Sequence, residues 1–173
     1  MQSDNLFSNT YEIQSNAPLA DKLRPNCLDE FFGQESILSN NSLLRKAILN
    51  DKVGNTIFAG PPGVGKTTLV EIIASNTRSS LIKLNAVLTS IKELRHEITS
   101  AKERLVKTNR RTILFIDEVH RFTSAQQDAL LPLIENGTIT FIGATTENPF
   151  FAVNKALISR SRIFNLLPLK VND

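Results

Sequence analysis

The segment that most restricts how this chain folds is GPPGVGKT, residues 60–67, which fits G-x-x-x-x-G-K-[ST] at every fixed position. It follows a short β-prone run at 56–59 and opens a segment at 66–74 whose apolar residues share one helical face. Glycines let several backbone N–H groups converge on a phosphate chain, and the following helix N-terminus favours negative charge. The segment predicts a strand–loop–helix unit that binds phosphate. Its candidate nucleotide-binding residues are Gly60, Pro61, Pro62, Gly63, Val64, Gly65, Lys66, Thr67 and Thr68.

Two side chains of this loop have predicted roles. Lys66 would reach the β- and γ-phosphates of a bound nucleotide, and the Thr67 hydroxyl would bind Mg²⁺. The alternative is a glycine-rich turn without a ligand, but a chance match in a chain of this length has odds of about one in a hundred. The dinucleotide pattern G-x-G-x-x-G fails, because Thr68 stands at its third glycine.

The rest of the chain alternates strand-like and helix-like segments, which predicts an α/β fold with a five-stranded parallel sheet sandwiched by helices. Capping boxes are expected at Ser90 with Glu93 and at Ser124 with Gln127, and a glycine, Gly137, suits the end of the second helix. The predicted strands are 56–59, 80–84, 112–116, 138–143 and 163–167, and the predicted helices are 43–49, 66–74, 91–105 and a helix that starts at 124.

Length and composition bound the class of protein. A chain of 173 residues predicts one domain, and 41% apolar with 21% charged residues excludes wholesale disorder. No apolar run approaches the ~18 residues of a membrane span, and the start of the chain is unlike a secretory signal. The lone Cys27 fits a reducing cytoplasm. Residues 1–17 are expected to form a flexible arm ahead of a nucleotide-binding core at 18–173.

A pair of carboxylates follows the most apolar strand of the chain. Asp117 and Glu118 come directly after the run 113–116, at the strand end where ligands bind in open parallel sheets. Asp117 is expected to orient Mg²⁺, and Glu118 to activate the attacking water as a general base. Alone, such a strand end is also an ordinary solvated feature, but together with the phosphate loop it predicts an NTP-hydrolysing site.

Three further polar positions allow two interpretations each. Thr146 either acts in the reaction, by positioning the lytic water or sensing the γ-phosphate, or belongs to a routine Thr-rich turn. Arg160 belongs either to a solvated strand edge or to an arginine finger acting in trans. His120 is expected to be a partly exposed polar residue rather than one that couples the nucleotide state to a neighbouring copy.

With these motifs established, the chain resembles the AAA+ ATPases of the clamp-loader branch, and more narrowly the replication-associated recombination ATPases, the RarA/MgsA family. The resemblance runs from about Pro18 to Leu169. The segments that carry it are PLADKLRP at 18–25, LDEFFGQE at 28–35, IDEVHRF at 116–122, QQDALLP at 126–132 and GATTENP at 143–149.

The resemblance implies further roles. The residues that border the adenine would be Leu23, Arg24, Pro25, Phe32 and Gly33. Thr146 would be the first sensor, and Arg160 the finger that reaches a neighbour's nucleotide, although Ser161 replaces the cysteine usual in the family. ATP and Mg²⁺ are the implied ligands. DNA and further copies of the chain are the implied partners, with weak DNA binding expected for this chain alone.

Family members continue into a helical lid with a second sensor arginine, whereas this chain ends at Asp173. The expected function is that of the ATP-binding and ATP-hydrolysing core of an ATPase that maintains DNA replication and recombination, poorly active as an isolated copy. Two alternatives stay open. One is a clamp-loader or Holliday-junction branch-migration subunit, and the other is a nucleotide-gated binding module without turnover of its own.

Overall fold

Five parallel strands form a single sheet in the spatial order β2-β3-β4-β1-β5, as seen in a computed structural model that describes Leu19 and residues 23–170. The predicted flexible arm at 1–17 lies outside the described residues. The strands are β1 Thr56–Ala59, β2 Ser80–Asn85, β3 Thr112–Asp117, β4 Ile139–Thr145 and β5 Arg162–Asn165. The prediction of a five-stranded parallel sheet is confirmed, and no strand end differs from its predicted position by more than two residues.

Helices cover both faces of this sheet. They are α1 Glu35–Leu38, α2 Leu43–Leu49, α3 Lys66–Asn76, α4 Ile91–Thr108, α5 Ser124–Glu135, α6 Pro149–Ala152 and α7 Lys155–Ser159, with 3₁₀ turns at Leu28–Glu30 and Val119–Arg121. No helix within the described residues has both the length and the apolar character needed to cross a membrane.

Successive strand residues contribute to opposite faces, so two apolar cores lie on either side of the sheet. Phe58 and Phe115 join the core beneath α1, α2 and α3, whereas their neighbours Ile57 and Ile116 join the core beneath α4, α5 and α7. The sandwich predicted from the alternating pattern is therefore confirmed.

The two capping boxes show one agreement and one correction. Ser90 and Glu93 close the start of α4 as predicted. The box of α5 is formed by Thr123 and Gln126, one residue before the predicted pair. Gln127 is engaged elsewhere: its buried amide donates to the Phe122 carbonyl at 3.0 Å and accepts from the Asn154 backbone N–H at 2.7 Å.

The order of the strands decides where the polar motifs meet. β4 lies between β1 and β3, so the carboxyl ends of these three strands are neighbours along one edge of the sheet. The phosphate loop follows β1, the carboxylate pair ends β3, and the threonine pair ends β4. Three segments far apart in sequence thus reach one place.

Candidate active site

The phosphate loop connects β1 to α3, and its backbone turns left-handed just before the helix. Gly65 has φ +91°, and a Cβ atom added there would lie 2.8 Å from Cζ of Phe31. Glycine is required at this position for two reasons, the backbone conformation and the ring that packs against it. The sequence alone shows the first reason but not the second.

Lys66 is the first residue of α3 and is only 8% exposed. Its ammonium donates hydrogen bonds to the carbonyl oxygens of Gly60 at 2.7 Å and Pro61 at 2.8 Å. Burial lowers the pKa of Lys66, while the negative charges of Glu118 and Asp117 act in the opposite direction and offset part of this effect. The lysine is thereby held at the mouth of the loop, close to the two carboxylates.

One hollow of about 340 Å³ brings the loop and the carboxylates together. Its lining residues are Arg24, Pro62, Gly63, Gly65, Lys66, Thr67, Thr68, Asp117 and Glu118. Cations and backbone N–H groups suit phosphate oxygens, and the Thr67 hydroxyl and Asp117 carboxylate supply the oxygen ligands that Mg²⁺ prefers. The side chains present in this hollow thus fit both a nucleotide phosphate chain and its magnesium ion.

Glu118 occupies an unusual backbone conformation at the end of β3. Its φ of 54° and ψ of 44° are left-handed, and a 3₁₀ turn follows immediately. Its backbone N–H donates to Oδ1 of Asp117 at 3.1 Å. A non-glycine residue in this region costs about 1–2 kcal/mol, a kind of strain that concentrates at functional sites.

The end of β4 supplies a second contact to this carboxylate. The Thr146 hydroxyl donates to Oε2 of Glu118 over 3.3 Å. Thr146 is exposed, whereas the preceding Thr145 is buried. The threonine that the sequence singled out therefore lies beside the candidate base.

A second, more apolar hollow of about 220 Å³ adjoins the first and shares Gly63, Gly65 and Thr68 with it. The residues that complete its lining are Leu23, Pro25, Glu30, Phe31, Phe32, Val64 and Leu169. Of the five residues expected around the adenine, Leu23, Pro25 and Phe32 lie here. Arg24 lines the phosphate hollow instead, and Gly33 lines a separate neighbouring hollow. Phe31 was missed because one aromatic of an adjacent pair carries no sequence signal of its own.

Arg160 lies outside both hollows. It follows α7, where its guanidinium contacts Oε1 of Glu135 at 2.6 Å and donates to the Ala156 carbonyl at 3.0 Å. The chain therefore does not bring this arginine to its own candidate nucleotide site.

The comparison with protein families decides the family. Residues 56–169 match the model described as "ATPase family associated with various cellular activities (AAA)". The chain belongs to the AAA ATPase family. The matched region runs from β1 through β5 and includes the phosphate loop, the carboxylate pair and Arg160.

Comparison with individual proteins shows which AAA proteins this domain resembles in sequence. It is 51% identical over 152 residues to replication-associated recombination protein A of Haemophilus influenzae, covering 88% of this chain and 34% of that protein. It is 46% identical over 171 residues to the protein of the same name from Escherichia coli, covering 99% of this chain and 36% of that protein. The domain thus spans about a third of the length of these relatives.

Solved structures support the same fold. The Holliday junction branch migration motor RuvB of Thermotoga maritima matches with a TM-score of 0.67 and 35% sequence identity, covering 84% of this chain and 48% of that one. The AAA fold that the resemblance implied is confirmed.

Proposed function

We propose that this AAA domain binds ATP and hydrolyses it to ADP and phosphate. The observation that carries the proposal is the single hollow that holds Lys66 and Thr67 of the phosphate loop together with Asp117 and Glu118 of β3. A phosphate-binding loop without carboxylates would favour binding alone, whereas a carboxylate beside it supplies a group that can accept a proton from water.

In the proposed step, the oxygen of a water molecule attacks the γ-phosphorus of ATP while Glu118 takes one of its protons. The bond between the γ-phosphorus and the β–γ bridging oxygen breaks, and ADP leaves with the electron pair. Lys66 stabilises the charge that develops on the β- and γ-phosphate oxygens. Thr146, which donates to Glu118, would hold the carboxylate toward the water.

Magnesium would be held by the Thr67 hydroxyl and the Asp117 carboxylate, both of which line the phosphate hollow. When bound, the ion neutralises phosphate charge and orients the β- and γ-phosphates for in-line attack. Leu23, Pro25 and Phe32, with Phe31, would receive the adenine ring in the adjoining apolar hollow.

The similarity to replication-associated recombination protein A supports a role for ATP turnover in DNA replication and recombination. DNA is a proposed partner, and self-association would let Arg160 of one copy reach the nucleotide of the next. A role in branch migration is the second candidate, favoured by the fold match to RuvB.

Two variants test the ATPase proposal. Lys66→Ala should weaken binding of a fluorescent ATP analogue strongly, because it removes a charged contact to the phosphates. Glu118→Gln should bind the analogue as the unmodified chain does and lose hydrolysis, because only the base is removed. Equal affinity of Lys66→Ala and the unmodified chain would contradict the site assignment.

A further inference from the structure

The ring of His120 is buried between two carboxylates at the candidate active site. The residue as a whole is partly exposed, as expected, but its side chain is only 4% exposed. Nδ1 lies 3.3 Å from Oε2 of Glu118 and 3.0 Å from the Thr145 hydroxyl, and Nε2 lies 3.3 Å from Oε1 of Glu147. Both ring nitrogens therefore face oxygen atoms that can accept a hydrogen bond.

These contacts leave the two oxygens of Glu118 in different surroundings. Oε2 is contacted by the His120 ring at 3.3 Å and by the Thr146 hydroxyl at 3.3 Å. Among the described residues, Oε1 of Glu118 has no ion-pair or side-chain hydrogen-bond partner. One oxygen is thus held by the protein while the other is available to accept a proton from water.

The backbone keeps this arrangement in place from both ends. The Arg121 N–H donates to the Glu118 carbonyl at 2.8 Å, which closes the 3₁₀ turn that carries His120. At the end of β4, the Glu147 N–H donates to the Thr145 hydroxyl at 3.0 Å, and this hydroxyl also contacts the ring. The two carboxylates and the imidazole are therefore fixed by short, closed turns rather than by long flexible chains.

We propose that His120 is a positioning residue that holds Glu118 through Nδ1 and links it through Nε2 to Glu147. The Glu118 side chain is 31% exposed and that of Glu147 is 55% exposed, so the link runs from the partly exposed base through the buried ring to a carboxylate on the surface. This inference rests on the proposed role of Glu118 as the base. Its consequence is that a change at Glu147 alters the rate of hydrolysis, although among the described residues Glu147 makes no ion pair or hydrogen bond with a residue that lines the phosphate hollow.

The contacts can be tested without activity, because the chain contains only two histidines. Ring nitrogen resonances are recorded on the chain labelled with ¹⁵N-histidine, with the exposed His96 on α4 as the internal reference. Glu118→Gln should shift the Nδ1 resonance of His120, and Glu147→Gln should shift its Nε2 resonance, while His96 stays unchanged in both. If neither His120 resonance moves, the proposed link does not exist.

The positioning role of His120 in hydrolysis is tested by two substitutions, each of which keeps a nitrogen near the position of one of the two ring nitrogens. Asparagine places its amide nitrogen near the position of Nδ1, whereas glutamine places it near Nε2. In single-turnover ATP hydrolysis with the chain in excess, His120→Gln should be slowed about 10- to 100-fold by the misplaced base. His120→Asn should retain more of the rate. The dissociation constant for the ATP analogue should stay unchanged in both, with amide spectra confirming that each variant folds.

A double-variant comparison tests the link to Glu147. Glu147→Gln should slow hydrolysis in the unmodified chain but have no further effect in the His120→Gln background. Additive effects, or a His120→Gln variant as fast as the unmodified chain, would overturn the inference while leaving the ATPase proposal intact. If the unmodified chain and Glu118→Gln are equally inactive, the proposed function fails, and the positioning role fails with it.

Discussion

The Lys66 ammonium donates a hydrogen bond of 2.7 Å to the carbonyl oxygen of Gly60, six residues before it, although its side chain is buried. The contact closes the phosphate loop on itself and satisfies a charge that burial disfavours. Burial outweighs the nearby carboxylates, so the pKa of Lys66 lies below its ordinary value of 10.5. Because the pKa of Lys66 is lower in the folded chain than in the unfolded chain, the stability of the domain depends on pH.

The sign of that dependence follows from proton binding. Between the lowered pKa and 10.5, the unfolded chain holds a proton on Lys66 that the folded chain has released, so raising the pH through this interval stabilises the fold. We expect the melting temperature of the unmodified chain to rise relative to that of Lys66→Met as the pH increases from 7 toward 10.5. Lys102→Met, at an exposed position on α4, serves as the control and should show no such trend. A constant difference for Lys66→Met would contradict the prediction.

The second prediction concerns Gly65 and the ring of Phe31. Gly63→Ala and Gly65→Ala both place alanine at a positive φ, 79° and 91°, and should each lose about 1–2 kcal/mol of unfolding free energy for that reason. Only at Gly65 does the added Cβ meet the Phe31 ring, at 2.8 Å, whereas at Gly63 nothing lies within 4 Å. Urea unfolding should therefore show a larger loss for Gly65→Ala, and Phe31→Leu should recover part of the difference. Equal losses would show that the ring moves aside at no cost.

The third prediction separates the hydroxyl of Thr146 from its bulk. Thr146→Val removes the group that donates to Oε2 of Glu118 while keeping the shape of the side chain. The hydrolysis rate should fall about tenfold or more, because the base loses one of its two holding contacts, and the affinity for nucleotide should change little. Thr146→Ser keeps the hydroxyl and should stay close to the unmodified rate. If valine and serine behave alike, the hydroxyl has no part in the reaction.

A structural feature could be predicted from the sequence where it is determined by residues that lie close together along the chain. The strand at 56–59 and the capping box at Ser90 were predicted correctly, because an apolar run and a cap with its partner three residues later are local patterns. The cap of α5 was misplaced by one residue because Thr123 and Ser124 both have a glutamine three residues later. In the structure Gln127 instead forms hydrogen bonds with Phe122 and Asn154, and the box is formed by Thr123 and Gln126.

The candidate active site was likewise predictable only where short motifs determine it. The loop and the carboxylate pair were located from short motifs, and the strand order explains why they meet. The contact of the His120 ring with Glu147 was not predictable, because Glu147 lies in the loop after β4, 27 residues further along the chain. Contacts of this range leave no periodic pattern in a single sequence.

The fourth prediction is that DNA binding by this chain alone is weak and sensitive to salt. A net charge of +3 offers few contacts to phosphates, and the sequence shows no alternation of aromatic and basic residues that would form a stacking surface. Fluorescence anisotropy with single-stranded DNA should give an affinity that falls steeply between about 50 and 200 mM salt. A tight complex that resists salt would reveal a binding surface outside the motifs described above.

The last prediction concerns Arg160, whose guanidinium contacts Glu135 of its own chain at 2.6 Å and lies outside the nucleotide hollow. If this arginine acts on a neighbouring copy, a single copy lacks a charge that typically contributes about 10³- to 10⁵-fold to phosphoryl transfer. Hydrolysis per chain should then be slow in dilute solution and increase with protein concentration, and Arg160→Ala should remove the increase without changing the dilute rate. Arg162→Ala, two residues further and exposed on β5, is the matched control and should leave the increase in place. A rate per chain that is independent of concentration and equally lowered by Arg160→Ala at every dilution would instead place the arginine in cis.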